Sequence, residues 1–448
     1  MKKSILSKAA SLLTVLCLMS ALAGCGSTDA NVPAGDSSKS EATTAAVTAA
    51  NTDAPVELSL WNVVDDPNNA MSLRFDAAYK KTEADLGVTI KYEAIAGETY
   101  KTKIKVALAG NELPDIFHMY PGGDWDPFLA AKAAAPLNDV LAGSGLGKEF
   151  YEGYIPEEAD GNTYGLPFRV DPTYVMYYNK TVLGTLGVEP PKNYDDLKKV
   201  AAAANAKGIG GIGLGDKERW MGDLFYNMMV LREDPRAYEK AIKGELKFTD
   251  APFVTAAEKV NELIRLNAFQ SGYMTAVESD VVELFSNDKI ALYPIGTWSF
   301  SNLIDKLGDK LGYIPFPAVG ADANAIESST GAKSPRPFSF MANAGSKNLE
   351  KAKLALVTFI KNNNDLGVKD GELAYMQTGV QPDKPLNAEL AKYAEDSKKI
   401  KFVQTFWFDS GLPKEQGEPY RDLNQKLFTG KMDPKAYCEE QQKILGTK

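Results

Sequence analysis

The chain has 448 residues, 44% of them hydrophobic, which is enough for a sizeable core and long enough for two or more domains. Its 50 basic and 59 acidic side chains give a net charge of −9 at pH 7, which argues against nucleic acid or an anionic membrane surface as partner, since both need a basic patch. A single histidine, His118, and three cysteines leave too few groups for a zinc site or for histidine-dependent nucleophilic chemistry, so neither metal nor cofactor is expected.

Lys2, Lys3 and Lys8 precede an apolar run from Ser11 to Ala21, and Leu22-Ala23-Gly24-Cys25 closes it in small residues. The run is too short to span a bilayer and reads as the core of a signal peptide, residues 1–24. The LAGC string resembles the lipobox of bacterial lipoproteins, in which the cysteine sulfur, here Cys25, takes a diacylglycerol. Two acyl chains make such an anchor durable where one is marginal. Residues 25–55 are rich in Ser, Thr, Ala, Gly, Asn and Asp and read as a flexible tether. Loss of the leader removes three lysines and no acid, moving the net charge to −12. Cys17 leaves with it, so Cys438 remains as a lone thiol without a disulfide partner.

Beyond the tether, Val56 to Trp61 alternates as a strand, and Leu73 to Leu86 recurs at helical spacing and stops at Gly87. Val88 to Tyr92 alternates again, Tyr100 to Ala109 reads as a helix closed by Gly110, and Asp115 to Tyr120 as a third strand. This order predicts a parallel sheet flanked by helices, with ligands at the carboxyl ends of its strands: Trp61 to Asp66 and His118 to Trp125. Farther on, Thr173 to Tyr178 and Lys289 to Ile295 read as strands. Helices are expected after the cap Asn193, up to Gly208, and over 253–267, 281–286 and 349–361.

Gly208-Ile209-Gly210-Gly211-Ile212-Gly213 matches G-x-G-x-x-G by letter, but it follows a helix where the dinucleotide fingerprint must leave a strand. It reads as a capped helix running into a small apolar strand. The carboxylate clusters Asp65-Asp66, Asp124/Asp126 and Glu157-Glu158 suit a solvated surface, although a glycoside hydrolase would also carry an acid pair. The aromatic residues Trp61, Tyr120, Trp125, Trp220, Trp298 and Trp407 fall at strand ends or in the loops after them. Any one tryptophan can serve a core; their shared placement, beside residues such as Asp65, Asp66, Asp216, Glu218 and Arg219, suits stacking on a sugar ring rimmed by hydroxyls.

From Val56 to Leu445 the chain resembles the extracellular solute-binding proteins of ABC carbohydrate importers, a family that includes the maltodextrin-binding proteins. The marks, in order, are Leu60-Trp61-Asn62, Leu113-Pro114-Asp115-Ile116-Phe117, Gly161-Asn162-Thr163-Tyr164-Gly165-Leu166-Pro167, Tyr177-Tyr178-Asn179-Lys180, Gly296-Thr297-Trp298 and Lys347-Asn348-Leu349-Glu350-Lys351-Ala352. The resemblance implies an α/β, two-lobed periplasmic-binding-protein-like fold, each lobe a mostly parallel sheet flanked by helices. Residues 56–168 with 338–376 would form the N-terminal lobe, and 169–337 with 378–445 the C-terminal lobe, ligand being held in the cleft by hinge closure. Carried over by position, the ligand-binding residues are Trp61, Asp65, His118, Tyr120, Asp124, Asp171, Trp220, Trp298 and Trp407. The Gly122-Gly123 loop departs from the maltodextrin binders and resembles raffinose- and melibiose-type binders. The implied role is non-enzymatic: a monomeric, lipid-anchored, extracytoplasmic receptor that delivers a neutral oligosaccharide to membrane permease subunits. The alternatives are a monosaccharide, polyol or glycerol-phosphate ligand on the same fold, or a lipid-anchored glycoside hydrolase.

Overall fold

The computed structural model describes residues 56–446 apart from 171–172, 321–326, 332–335, 406–411 and 413. The signal peptide, Cys25 and the tether therefore lie outside the described residues, as do Asp171 and Trp407. Residues 53–448 cluster as one compact unit.

The chain opens with β1 (Glu57–Val63), α1 (Ala70–Leu86), β2 (Thr89–Ile95), α2 (Gly97–Gly110) and β3 (Ile116–Met119). Helix α1 begins before its first strongly apolar residue because the Asn69 side chain accepts from the Ser72 N–H at 2.8 Å; it ends at Gly87, whose φ of 63° suits glycine. Strands β4 (Gly165–Pro167), β5 (Tyr174–Asn179) and β6 (Gly210–Ile212) follow, with α3 (Tyr194–Ala206) between the last two. Next come α4 (Trp220–Glu233), α5 (Ala251–Arg265), α6 (Glu278–Ser286), β7 (Ile290–Gly296), α7 (Phe300–Leu307) and β8 (Leu311–Pro315). The last strands are β9 (Ser328–Gly331), β10 (Ser339–Ala342) and β11 (Phe402–Thr405), with α8 (Leu349–Lys369) preceding β11.

These strands build two main sheets. The first has the order β2-β1-β3-β10-β4 and the second β6-β7-β5-β8; β9 and β11 form a separate parallel pair. Both main sheets are mixed but mostly parallel, as expected, since in each a single strand, β10 in the first and β5 in the second, runs against the others. β1 runs parallel to β2 and β3, but β10 is antiparallel to β3 and β4; β6 and β7 are parallel, but β5 is antiparallel to β7 and β8. Crossover helices join the parallel neighbours, α1 between β1 and β2 and α4 to α6 between β6 and β7, whereas β10 joins the first sheet only after the chain has passed through the second.

Each sheet has its own apolar core. On one face of the first sheet α1 and α8 bring Phe75, Tyr79 and Phe359 against Phe168 and Phe340; on the other Tyr100, Phe117, Trp125 and Phe128 pack together. The second sheet buries Tyr177, Leu292 and Tyr293 among α3, α4 and α5, and residues from the C-terminal part of the chain, such as Tyr420 and Tyr437, join this core. The glycine-rich segment lies at the β6 edge. A Cβ at Gly210 would stand 2.7 Å from the Gln270 Cβ, and one at Gly211 2.8 Å from the Ala268 oxygen, so close strand packing accounts for these glycines.

Candidate functional site

The ends of β1 and β3 face the loops that leave the second sheet. On the first-sheet side, Asp65 follows β1 and its Oδ1 accepts from the Gly97 N–H at 2.7 Å, at the start of α2. Tyr120, just past β3, reaches the same corner: a Cβ at Gly97 would lie 3.0 Å from its hydroxyl oxygen and 3.5 Å from Asp65 Oδ1. The Lys101 ammonium stands 4.7 Å from the centre of the Tyr120 ring. Asp65, Tyr120, Gly97 and Lys101 thus form one polar, aromatic corner.

Opposite it, two indoles meet. Trp298 lies in the turn after β7 and Trp220 opens α4, with ring centres 6.0 Å apart and planes inclined by 54°. The Trp298 ring lies so close over Gly296 that a Cβ there would come within 1.8 Å of it, so only glycine fits beneath the indole. Each indole N–H has a carboxylate. Trp220 Nε1 donates to Glu218 Oε2 at 3.2 Å, and Trp298 Nε1 donates to Glu278 Oε1 at 3.1 Å, an oxygen that also accepts from Ser299 Oγ at 3.0 Å.

The two sides feel each other's charge. Burial, then the fields of Asp65 and Glu218, pushes the Glu278 carboxyl up to about 7 despite its two hydrogen bonds. Glu218 is raised as well, by burial and then by Asp65 and Glu98, with Lys101 opposing. First-sheet groups on β1 and α2 therefore face second-sheet groups across a shared, acidic gap.

Beyond Trp298 the gap widens into a pocket that is open to solvent. Arg74, Arg169, Asn363, Glu372 and Ser301 line it with Tyr375. Arg74 pairs with Glu372 and donates from Nε to Asn363 Oδ1 at 3.1 Å, while Ser301 of α7 donates to the same Glu372 from the opposite side. Arg169 lies between rings at the pocket floor, its guanidinium 4.5 Å from the centre of Phe338 and 5.1 Å from that of Phe168. Flat aromatic surfaces edged by carboxylate, amide and guanidinium groups suit a polyhydroxylated solute. Among the described residues no group of three or more metal-ligating side chains is assembled.

Asp65, Tyr120, Trp220 and Trp298 are thus brought to one gap. Three other expected positions lie elsewhere. Trp61 sits within β1, paired in register with Phe117, and faces α2 with the Lys103 ammonium 4.0 Å above its ring. His118 is buried in the first core, its Nδ1 3.1 Å from Asn62 Oδ1 and its ring among Tyr100, Phe168 and Phe340; burial and then Arg169 push it down to about 3, so the ring is neutral. Asp124 turns toward Lys105 of α2 at 4.0 Å. Trp125, noted among the strand-end aromatics, is fully buried. Sequence reasoning did not single out Glu278, Lys101, Arg74, Asn363, Ser301 or Glu372 as ligand-binding residues. Each gains its meaning from a partner distant in sequence, and only Glu218, beside Trp220, carried a local signal.

The pattern of the bacterial extracellular solute-binding proteins matches residues 66–363. Over 378 residues, 82% of each chain, this protein is 23% identical to an uncharacterised ABC transporter extracellular-binding protein of Pyrococcus horikoshii. It is 24% identical over 250 residues to the melibiose/raffinose/stachyose-binding protein of Bacillus subtilis, a match spanning 54% of this chain and 57% of that one. A solved structure from work on xylan utilisation by the thermophilic bacterium Caldanaerobius polysaccharolyticus superposes with a TM-score of 0.76 at 23% identity, covering 87% of this chain and 100% of the other. Such a structural likeness establishes the fold, that of two α/β lobes with the solute cleft between them. The family pattern runs through more than half of the sequence, and through it this chain belongs to the bacterial extracellular solute-binding proteins.

Proposed function

We propose that this protein is the lipid-anchored receptor of an ABC sugar importer, and that it captures a neutral oligosaccharide between its two sheets and passes it unchanged to permease subunits. The observation that carries this reading is the pair of indoles, Trp220 and Trp298, set opposite the Asp65–Tyr120 corner in a family of solute receptors. Two rings at an angle offer consecutive apolar surfaces, which suits a ligand of more than one pyranose, and the carboxylates accept from hydroxyls at the sugar edges. The melibiose, raffinose and stachyose of the Bacillus subtilis relative belong to this class. Residues 56–168 with 338–376 would move as one lobe and 169–337 with 378–445 as the other, a division supported by the membership of β10 and α8 in the first sheet and its core.

A thermal-shift screen of the purified chain against melibiose, raffinose, stachyose and xylo-oligosaccharides tests the reading. A sugar at about a hundred times its dissociation constant adds roughly 2.7 kcal/mol and raises the melting temperature. A response only to monosaccharides, polyols or glycerol-phosphate diesters would replace the oligosaccharide assignment. Glu278, with its raised carboxyl near Glu218 and Asp65, has the environment of a hydrolytic acid as well. Chromatography of the sugar after incubation separates the two: a receptor returns it intact, and shortened product would make the protein a glycosidase.

A further inference from the structure

Besides its contact with the Trp220 ring and its packing on the second core, the Trp298 indole is held from below and at its N–H edge. Gly296 lies beneath its ring, and Glu278 Oε1 holds its N–H at 3.1 Å while accepting from Ser299 Oγ at 3.0 Å. Glu278 stands at the first position of α6, so a single carboxylate oxygen ties this helix to the turn after β7. We propose that Glu278 is the positioning residue of the Trp298 platform, and that its ionised carboxylate locks the indole in place while its neutral form lets the indole move. The proposal rests on the reading of Trp298 as a solute-facing surface.

The groups around Glu278 make the lock sensitive to pH. From the first sheet comes Asp65, itself next to Glu98 and Lys101 of α2; from the turn before α4 comes Glu218, with Lys217 beside it. The neighbouring strand β7 contributes the buried phenol of Tyr293, α7 and its preceding turn contribute the hydroxyl of Ser299, with Asp305 and Lys306 toward the far end of the helix, and α6 itself carries Asp280 and Glu283. Burial opposes the ionisation of Glu278 most, and the charges of Asp65 and Glu218 add to it. The carboxyl therefore changes charge near neutrality, where an ordinary glutamate is already ionised. Above that point the indole N–H meets a carboxylate and the hydrogen bond is charge-assisted; below it the bond weakens to a neutral one.

Tryptophan emission of the purified full chain, titrated from pH 5 to pH 9 without any sugar, tests the proposal. Wild type should show a transition with a midpoint near 7. Trp298→Phe should remove that transition, which assigns it to this indole and not to Trp220 above Glu218. Glu278→Gln should abolish it, and Asp65→Asn should move its midpoint to lower pH. A wild-type emission that is flat over this range, or a transition that persists in Glu278→Gln, overturns the proposal. A midpoint unmoved by Asp65→Asn overturns the cross-gap part of it. The sugar screen is read separately: a chain that titrates as described but binds no sugar keeps the Glu278 lock and loses the receptor assignment.

Discussion

Trp298 and Trp220 come from separate elements of the second sheet, yet their rings stand 6.0 Å apart at 54°, and each donates its N–H to a different carboxylate. With both polar edges satisfied, the ring faces are what remains for a solute, and both residues are only partly buried. Trp298→Ala should therefore weaken sugar binding by about 1–3 kcal/mol. Unliganded stability should fall by less than emptying a fully enclosed site costs, because the ring is only partly buried where it lies over Gly296 and against the second core. Calorimetry with the sugar found by screening, together with a melt of the unliganded variant, checks this. Unchanged affinity in a destabilised variant would remove Trp298 from the site.

Trp61 should behave in the opposite way. Its ring lies on the sheet face beneath α2, under Lys103, which also pairs with Glu93 of β2. Trp61→Ala should cost about 2–3 kcal/mol of folding, less than the cost of emptying a fully enclosed site, and leave affinity nearly unchanged. Urea denaturation and calorimetry on one preparation compare the two effects. A large loss of affinity at unaltered stability would return Trp61 to the ligand surface.

Arg74 tests the pocket beyond Trp298. It uses Nε toward Asn363 and Nη1 toward Glu372, while Ser301 approaches Glu372 from α7. Arg74→Ala leaves a largely buried carboxylate without its cation and should destabilise by about 2–4 kcal/mol. Arg74→Lys should restore little, because a single nitrogen on a flexible stem does not reproduce the rigid planar fork that sends Nε to Asn363 and Nη1 to Glu372. Denaturation midpoints of the two variants measure this, and a lysine variant as stable as wild type would contradict it.

The contrast between Trp298 and Trp61 shows how far the chain could be read without coordinates. Alternation and glycine caps were enough to order β1, α1, β2, α2 and β3, because each signal is local. Helix α4 escaped because nearly its whole length is buried, so it carries no polar stripe from which a period could be read. His118 was expected on the rim because β3 ends there. Its burial is decided by Phe168 and Phe340, which reach it from β4 and β10 across long stretches of chain. The antiparallel entry of β10 is equally non-local. For the site, strand ends pointed to Asp65, Tyr120 and Trp298. The acids and bases that hold them became visible only with the fold: Glu278 is 20 residues from its indole and Arg74 lies on another helix from Asn363.

The anchor makes its own prediction. If Cys25 is the acylated residue, Cys25→Ser should leave the leader uncleaved at this position and the protein without diacylglycerol. Phase partitioning in detergent and the mass of the mature chain check it. A variant that still enters the detergent phase at the wild-type processed size would refute the lipoprotein assignment.

Cys438, the one cysteine among the described residues, should be chemically silent in the folded protein. It is fully buried in the second core beside Tyr226, and burial pushes its thiol up to about 12. Thiol reagents attack the thiolate, and a thiol titrating that high is almost wholly protonated at pH 8. Exclusion from solvent removes what reactivity remains. If Cys25 is acylated and Cys17 leaves with the leader, no other thiol competes for the reagent. A disulfide reagent at pH 8 should therefore label almost nothing under native conditions and one thiol per chain in denaturant. The labelling rate should follow opening of this core, rising steeply as denaturant approaches the unfolding midpoint. Rapid stoichiometric labelling of the native protein would mean that the C-terminal helix carrying Cys438, Pro434–Leu445, leaves the core far more easily than its packing allows.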